Sequence, residues 1–327
     1  PPHDMSKTKF IYNPKAGDKR ALFSKKKPDL LLHAIHRLFK KYEIEFDEAP
    51  TKGPGDGRRL AAEASKEGYD TVIVAGGDGT VGEVANGLIG TDVALGILPL
   101  GTFMNVARML SIPFDLEQAV MVIKMRNTRM IDAGEVVSIE GERPGEPSYF
   151  LESASIGIEA DFQQEFLAWE RGDRAALGRF LKGMGQFYRS PLKVDLDDGR
   201  SFESRAHVIM VSNGPYADAA MPVAPSAKLN DHVLTIRRYH MSKLQLLQHV
   251  LRLKILGVYK NTDIETYTST SVRITSQSPR PVHADARVFG DTPVLIKVRP
   301  NALKVIAGYP DSPQDSALLA KNVYLAP

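Results

Sequence analysis

The hydrophobic positions of the first third of the chain fall into short apolar runs that alternate with segments of helical spacing. Lys9 to Pro14, KFIYNP, predicts a strand that ends in an Asn-Pro turn. Pro28 to Tyr42 sets Leu31, Ile35, Leu38 and Phe39 on one helical face. EIEFDEAP, DTVIVAGG and VALGILPLG read as further strands, with GDGRRLAAEASKEGY and TVGEVANGLIG as the helices between them. Strands that alternate with helices predict an open parallel sheet covered on both faces. Ligands on such sheets bind at the carboxyl ends of the strands.

After about Ile131 the pattern shortens. YFLESASIGI, LKVDLDDGRSFESRAHVIMVSNG, HVLTIRRYH, TSVRITSQS, VHADARVFGDTPVLIKVRP and ALKVIAGY alternate in part and are separated by turn residues. They predict an antiparallel sandwich, interrupted by helical patches at Asp161 to Tyr188 and Ser242 to Leu256. The expected organisation is an α/β domain over residues 5–131 and a β-sandwich domain over 132–307. Residues 308–327 would pack back on the first. Pro1 to Asp4 precede the first methionine, Met5, and read as an added remnant.

Composition narrows the function classes. The chain has 327 residues, enough for two cores, and its 42 basic and 39 acidic residues give a charge of +3. That balance, without a dominant basic stripe, argues against a nucleic-acid partner. With no cysteine, a disulfide framework, a thiolate nucleophile and a Cys-bound zinc are excluded. No apolar run approaches the roughly 20 residues of a membrane span. The eight histidines show no HExxH spacing, His249 reads as a packed or surface residue, and GxSxG is absent.

The candidate chemistry lies in VIVAGGDGTVGEVANGLI, Val72 to Ile89. Gly76, Gly77 and Gly79 permit positive φ and close backbone approach, and the N–H groups that open the helix at Thr80 would face a ligand above the strand ends. Three more polar loops end neighbouring strands: NPKAG (Asn13 to Gly17), TKGPGDG (Thr51 to Gly57) and PLGT (Pro99 to Thr102, with Gly101). Together they outline a phosphate cradle. A tight turn without a ligand is the plainer account of the glycines alone, as a solvated lysine is of Lys15.

The ordered set NPKAG, GGDGTVGEVANGL and LPLGTFMNVAR resembles the diacylglycerol kinase catalytic domain family, which includes bacterial lipid kinases, sphingosine kinases and ceramide kinases. SNGPY, VAPSAKLNDHVL and VHADARVFGDTPVLIKVRPNALKVI continue the likeness, so it spans Lys9 to Ile306. GGDGT alone is weak, since NAD kinases and phosphofructokinases also use it. The resemblance implies an ATP- and Mg²⁺-dependent lipid kinase with its cleft between two domains. By motif, Asn13, Lys15, Thr51, Gly77, Asp78, Gly79, Thr80, Glu83 and Thr102 would surround ATP, and Asp285 would be the base that receives the acceptor hydroxyl proton. Asp78 is the rival base. Asp78, Asp132 and Asp231 would serve the metal network.

The sequence departs from the family pattern in places. The Asp-Gly-Glu motif reads Asp285-Ala286-Arg287, and an expected Asn-Asp pair reads Met104-Asn105. The glycine cluster after NGPY is replaced by ADAAM, and the Asp-Gly after AKLN by Asp231-His232. An NAD kinase would need a TGSTAY-like loop, which is absent; a regulatory protein without catalysis is the other alternative. The expected partners are a lipid alcohol (diacylglycerol, a ceramide or sphingoid base, or similar) at a membrane surface and, in one arrangement, a second copy of the chain. The expected location is cytoplasmic and peripheral to the membrane. The leucine-rich Ser242 to Leu256 patch, better explained by core packing, and the basic run Lys25 to Lys27 are the candidates for membrane contact.

Overall fold

The computed structural model describes residues 7–14, 28–138, 148–157, 191–205, 208–217, 221–242, 264–285 and 287–309, with a few positions within 173–179 and 244–252. Lys15, Lys25 to Lys27, Ala286, most of both helical patches and the segment from 310 onward lie outside the described residues. The described chain forms two compact units. One holds the residues up to Asp132 and those from Pro300; the other holds Ala133–Ala217 and Met221–Arg299.

In the first unit β1 (Thr8–Tyr12), α1 (Pro28–Lys41), β2 (Asp47–Pro50), α2 (Asp56–Lys66), β3 (Thr71–Gly76), α3 (Asp78–Leu88) and β4 (Ala94–Pro99) alternate as the pattern predicts. The strands are parallel in the order β2-β1-β3-β4. β3 and β4 are buried at every position, which is why TVIVAG and ALGILP carry almost no polar residue. The chain leaves β1 for β2 on one side and returns to β3 on the other, so the sheet has its switch point between β1 and β3. Gly87 lets α3 lie close against α2: a Cβ there would stand 2.4 Å from the Arg58 carbonyl oxygen.

Two helices escaped the sequence reading, α4 (Asn105–Met109) and α5 (Leu116–Met125). The second carried a usable signal, because Asp115 caps it by accepting the Gln118 N–H at 3.0 Å. β5 (Thr128–Ser138) then enters the second unit.

There β6 (Ser148–Phe150), β7 (Ser153–Gly157), β8 (Leu192–Leu196), β9 (Ser201–Ser204), β10 (Val208–Ser212), β11 (Leu234–Tyr239), β12 (Ile264–Ser269), β13 (Ser271–Ser276), β14 (Pro281–Ala284), β15 (Arg287–Asp291) and β16 (Val294–Ile306) follow. One antiparallel sheet runs β12-β11-β10-β7-β14-β15, and a second stretch runs β16-β13-β8-β9. Alternate residues of both meet in one core: Ile209, Val211, Leu234 and Ile236 from the first, Val194, Val272, Ile274 and Ile296 from the second. This is the expected β-sandwich.

Two strands differ from their sequence reading. YFLESASIGI is not one strand but β6 and β7, broken at Leu151 and Glu152. VLIKVRP and ALKVI are one strand, β16, because Pro300 falls beyond Lys297, the last β16 residue in register with β13, and so removes no N–H from that ladder. Past Pro300, Val305 pairs in parallel with Leu95 of β4 in the first unit.

Phe150 is fully buried and lies over Gly134, its partner in β5, where a Cβ would come 2.0 Å from the ring. Phe150→Ala should cost about 3–5 kcal/mol of unfolding free energy, read from the midpoint of urea denaturation. A loss below ~1 kcal/mol would mean that this ring does not anchor the sandwich core.

Candidate active site

The carboxyl ends of the four parallel strands are laced together by main-chain hydrogen bonds. Thr51 N–H donates to Tyr12 O at 2.8 Å, Asn13 N–H to Ala75 O at 3.0 Å, and Leu100 N–H to Gly76 O at 3.1 Å. These bonds bring Asn13, TKGPGDG, the glycine turn and PLGT to one edge, flanking the switch point. The α3 N-terminus opens there, and its N-cap is Gly77, which has no side chain to cap it. Such an end presents N–H groups and a partial positive charge to an anion.

The glycines act here by close approach rather than by positive φ. Gly77 has φ −90° and ψ 179°, and neither Gly76 nor Gly79 has positive φ. A Cβ on Gly101 would lie 2.7 Å from the Gly77 Cα and 2.6 Å from the Met104 sulfur, and one on Gly76 would lie 2.7 Å from the Thr80 Cβ. The glycine turn and PLGT therefore touch backbone to backbone. Thr80 is half-buried beside them, while Gly79 and Thr102 are exposed.

Asp78 does not project as a bare anion. Its Oδ2 accepts the Met104 N–H at 3.0 Å and its Oδ1 the Asn105 N–H at 2.9 Å, closing the start of α4. Met104 is fully buried with φ 50°, so the positions where the motif expected polar residues supply main-chain donors instead. Burial raises the Asp78 pKa, against the pull of those N–H groups and of the Arg108 charge. Arg108, passed over in the sequence, steadies the loop by packing over the Phe114 ring. Glu83 accepts the Gly57 N–H at 3.1 Å, so it fixes the start of α2 and shapes the TKGPGDG loop.

The second unit holds the other candidate. Asp285 follows β14 with φ 42°, a strained value for a residue with a Cβ. Its Oδ2 accepts the Leu151 N–H at 2.6 Å, and its Oδ1 accepts Glu152 N–H at 3.0 Å and Ser153 N–H at 3.3 Å. The break between β6 and β7 turns those N–H groups toward the carboxylate. Desolvation pushes the Asp285 pKa up to about 6, opposed by the N–H donors and the Arg287 charge. Between pH ~4 and ~6 the folded chain thus holds a proton that the unfolded chain releases, so ionising Asp285 lowers stability as pH rises through that window.

Among the described residues no group of three or more Asp, Glu or His is placed to hold a metal ion. Asp132 is fully buried and accepts the Asn301 N–H at 2.8 Å. Asp231 accepts Lys228 N–H at 3.3 Å and Val233 N–H at 3.4 Å, as in a turn. With Asp78 these carboxylates are engaged by main chain, and they do not fit a dedicated protein metal cage.

Residues 7–136 match the Diacylglycerol kinase catalytic domain, and residues 155–307 match the YegS C-terminal NAD kinase beta sandwich-like domain. The chain belongs to the diacylglycerol kinase catalytic domain family. Membership makes it a lipid kinase, a class that uses a nucleotide. It is 27% identical over 295 residues to a diacylglycerol kinase of Bacillus subtilis (strain 168), covering 88% of this chain and 92% of that one. A diacylglycerol kinase of Staphylococcus saprophyticus is 26% identical over 293 residues, covering 88% and 90%. A crystal structure of a diacylglycerol kinase from Bacillus anthracis shares the fold with TM-score 0.70 at 22% identity, over 94% of this chain and 98% of that one. Yeast NADH kinase complexed with NADH aligns with TM-score 0.54 at 10% identity, over 99% and 90%.

In this kinase-family chain Asp78→Ala would leave two N–H donors of the α4 start without their acceptor. It should destabilise the protein by about 1–3 kcal/mol, measured by chemical denaturation without any substrate. An unchanged midpoint would show that Asp78 does not hold the loop.

Proposed function

We propose that this protein transfers the γ-phosphoryl group of ATP to the hydroxyl of a lipid alcohol, such as diacylglycerol, a ceramide or a sphingoid base. The observation that carries the reading is the Asp285 carboxylate, positioned by three main-chain N–H groups with a pKa near 6. A base for a hydroxyl proton works best when its pKa lies near the working pH. Oδ1 already accepts two hydrogen bonds and Oδ2 one, so Oδ2 keeps a lone pair for the acceptor hydroxyl.

In this mechanism the hydroxyl oxygen forms a bond to the γ-phosphorus while the bond from that phosphorus to the β-bridging oxygen breaks. ADP leaves with the electron pair, and the hydroxyl proton passes to Asp285 and then to water. The N–H groups at the start of α3 and the close-packed Gly76, Gly77 and Gly101 backbone would bind the phosphates. Asn13, Thr51, Gly79, Thr80 and Thr102 lie on the converging loops, with Lys15 assigned by motif. Glu83 and Asp78 would act on the nucleotide through the loops they shape. Mg²⁺ is expected as the ion that accompanies the triphosphate. The acceptor class places the reaction at a membrane surface by peripheral contact, and the use of ATP places it on the cytoplasmic side.

The test offers purified protein labelled ATP, Mg²⁺ and a panel of lipid alcohols together with NAD. Labelled phospholipid supports the proposal; labelled NADP, or no transfer to any acceptor, overturns it. Asp285→Asn should lower kcat by roughly 10²–10⁴-fold while ATP affinity holds, whereas full activity would pass the base role to Asp78. For the wild type, kcat/KM should fall tenfold per pH unit below about pH 6 and level off above it. Arg287→Ala should move that limb upward, since the Arg287 charge favours the ionised carboxylate.

A further inference from the structure

The main-chain turn that holds Asp285 is itself held by Asn213. This residue follows β10 and is buried to 1% exposure. Its side-chain amide donates to Leu151 O at 3.0 Å, and its backbone N–H donates to Glu152 O at 2.9 Å. The neighbouring Gly214 N–H donates to the same Glu152 carbonyl at 3.1 Å. Both carbonyls of the break between β6 and β7 are therefore engaged from the β10 side. The N–H groups of Leu151, Glu152 and Ser153 are left facing Asp285, whose own N–H returns to Ser153 O at 3.1 Å.

We propose that Asn213 is a positioning residue for the kinase reaction, acting on Asp285 through the Leu151–Ser153 turn and touching neither nucleotide nor acceptor. The geometry explains why an amide is required there. The donor must reach a buried carbonyl while the same residue's N–H binds the next carbonyl, and each peptide plane so fixed sets the direction of the N–H that follows. Without the side-chain donor the Leu151 carbonyl would lie buried and unsatisfied, and the turn would rotate to recover a partner. The N–H groups would then point less directly at the carboxylate, which would hold its charge less readily. Tyr149 on β6, Glu152 on the turn, His283 on β14, and Arg287 and Asp291 on β15 are the titratable groups on the elements that enclose Asp285. Substitution at Asn213 leaves all five in place.

This inference rests on the reading of Asp285 as the base, so its test separates the two. The Asp285 pKa is measured directly by carbon NMR of aspartate labelled at the carboxyl carbon, assigned with Asp285→Asn, and compared with the pH profile of phosphoryl transfer. In Asn213→Ala the Asp285 pKa should rise by about one unit. The acid limb should move with it, so that transfer below pH 6 drops about tenfold while KM for ATP and the plateau above pH 8 stay near wild type. A uniform loss at every pH, or an unmoved Asp285 pKa, overturns the positioning role. A raised pKa with an unmoved acid limb keeps that role and instead overturns Asp285 as the base. If Asn213→Ala does not fold, Asn213→Ser, with a donor on a shorter arm, should give the same shifts in smaller measure, and their absence there overturns the proposal equally.

Discussion

A carboxylate taken out of water must find donors, and in this chain the main chain supplies them. Asp78 draws on the Met104 and Asn105 N–H groups, and Asp285 on those of Leu151, Glu152 and Ser153. In each case the donors come from an irregular piece of backbone, the first turn of α4 or the break between β6 and β7. Regular strands and helix interiors have no N–H groups to spare. The loops owe their shapes to the acids they enclose, and two residues with a Cβ, Met104 and Asp285, hold left-handed φ beside those bonds.

The first unit uses its glycines for a related purpose. Parallel strands end side by side, and the bonds from Thr51 to Tyr12, Asn13 to Ala75 and Leu100 to Gly76 extend that adjacency one residue into each loop. Gly77 and Gly101 then let two loops meet at main-chain distance. The N–H groups at the start of α3 are thereby kept in a rigid frame. A preorganised dipole of this kind does its work without reorganising around the charge it binds.

Much of this was legible in the sequence. The fully apolar TVIVAG and ALGILP could only be strands covered on both faces, and the period-two pattern of LKVDL and SVRITS marked strands with one face in a core. α5 was passed over although Asp115 and Gln118 signalled its start. The split of YFLESASIGI was not readable, because Leu151 and Glu152 suit a strand and leave it only to meet an aspartate more than 130 positions away. The same holds for Glu83 and Asp132: motif position marked them as ligands, while their partners, Gly57 and Asn301, are known only once the chain has folded.

Periodicity, glycine placement and motif order were enough, from sequence alone, to determine the two architectures, the converging loops and the family, since each rests on residues near one another in the chain or on patterns repeated along it. Tertiary structure alone decided what the acids do. Hydrogen-bond partners for Asp78, Asp285 and Asn213 come from segments remote in sequence, and burial, which sets the cost of a charge, belongs to the packed molecule rather than to any stretch of its chain.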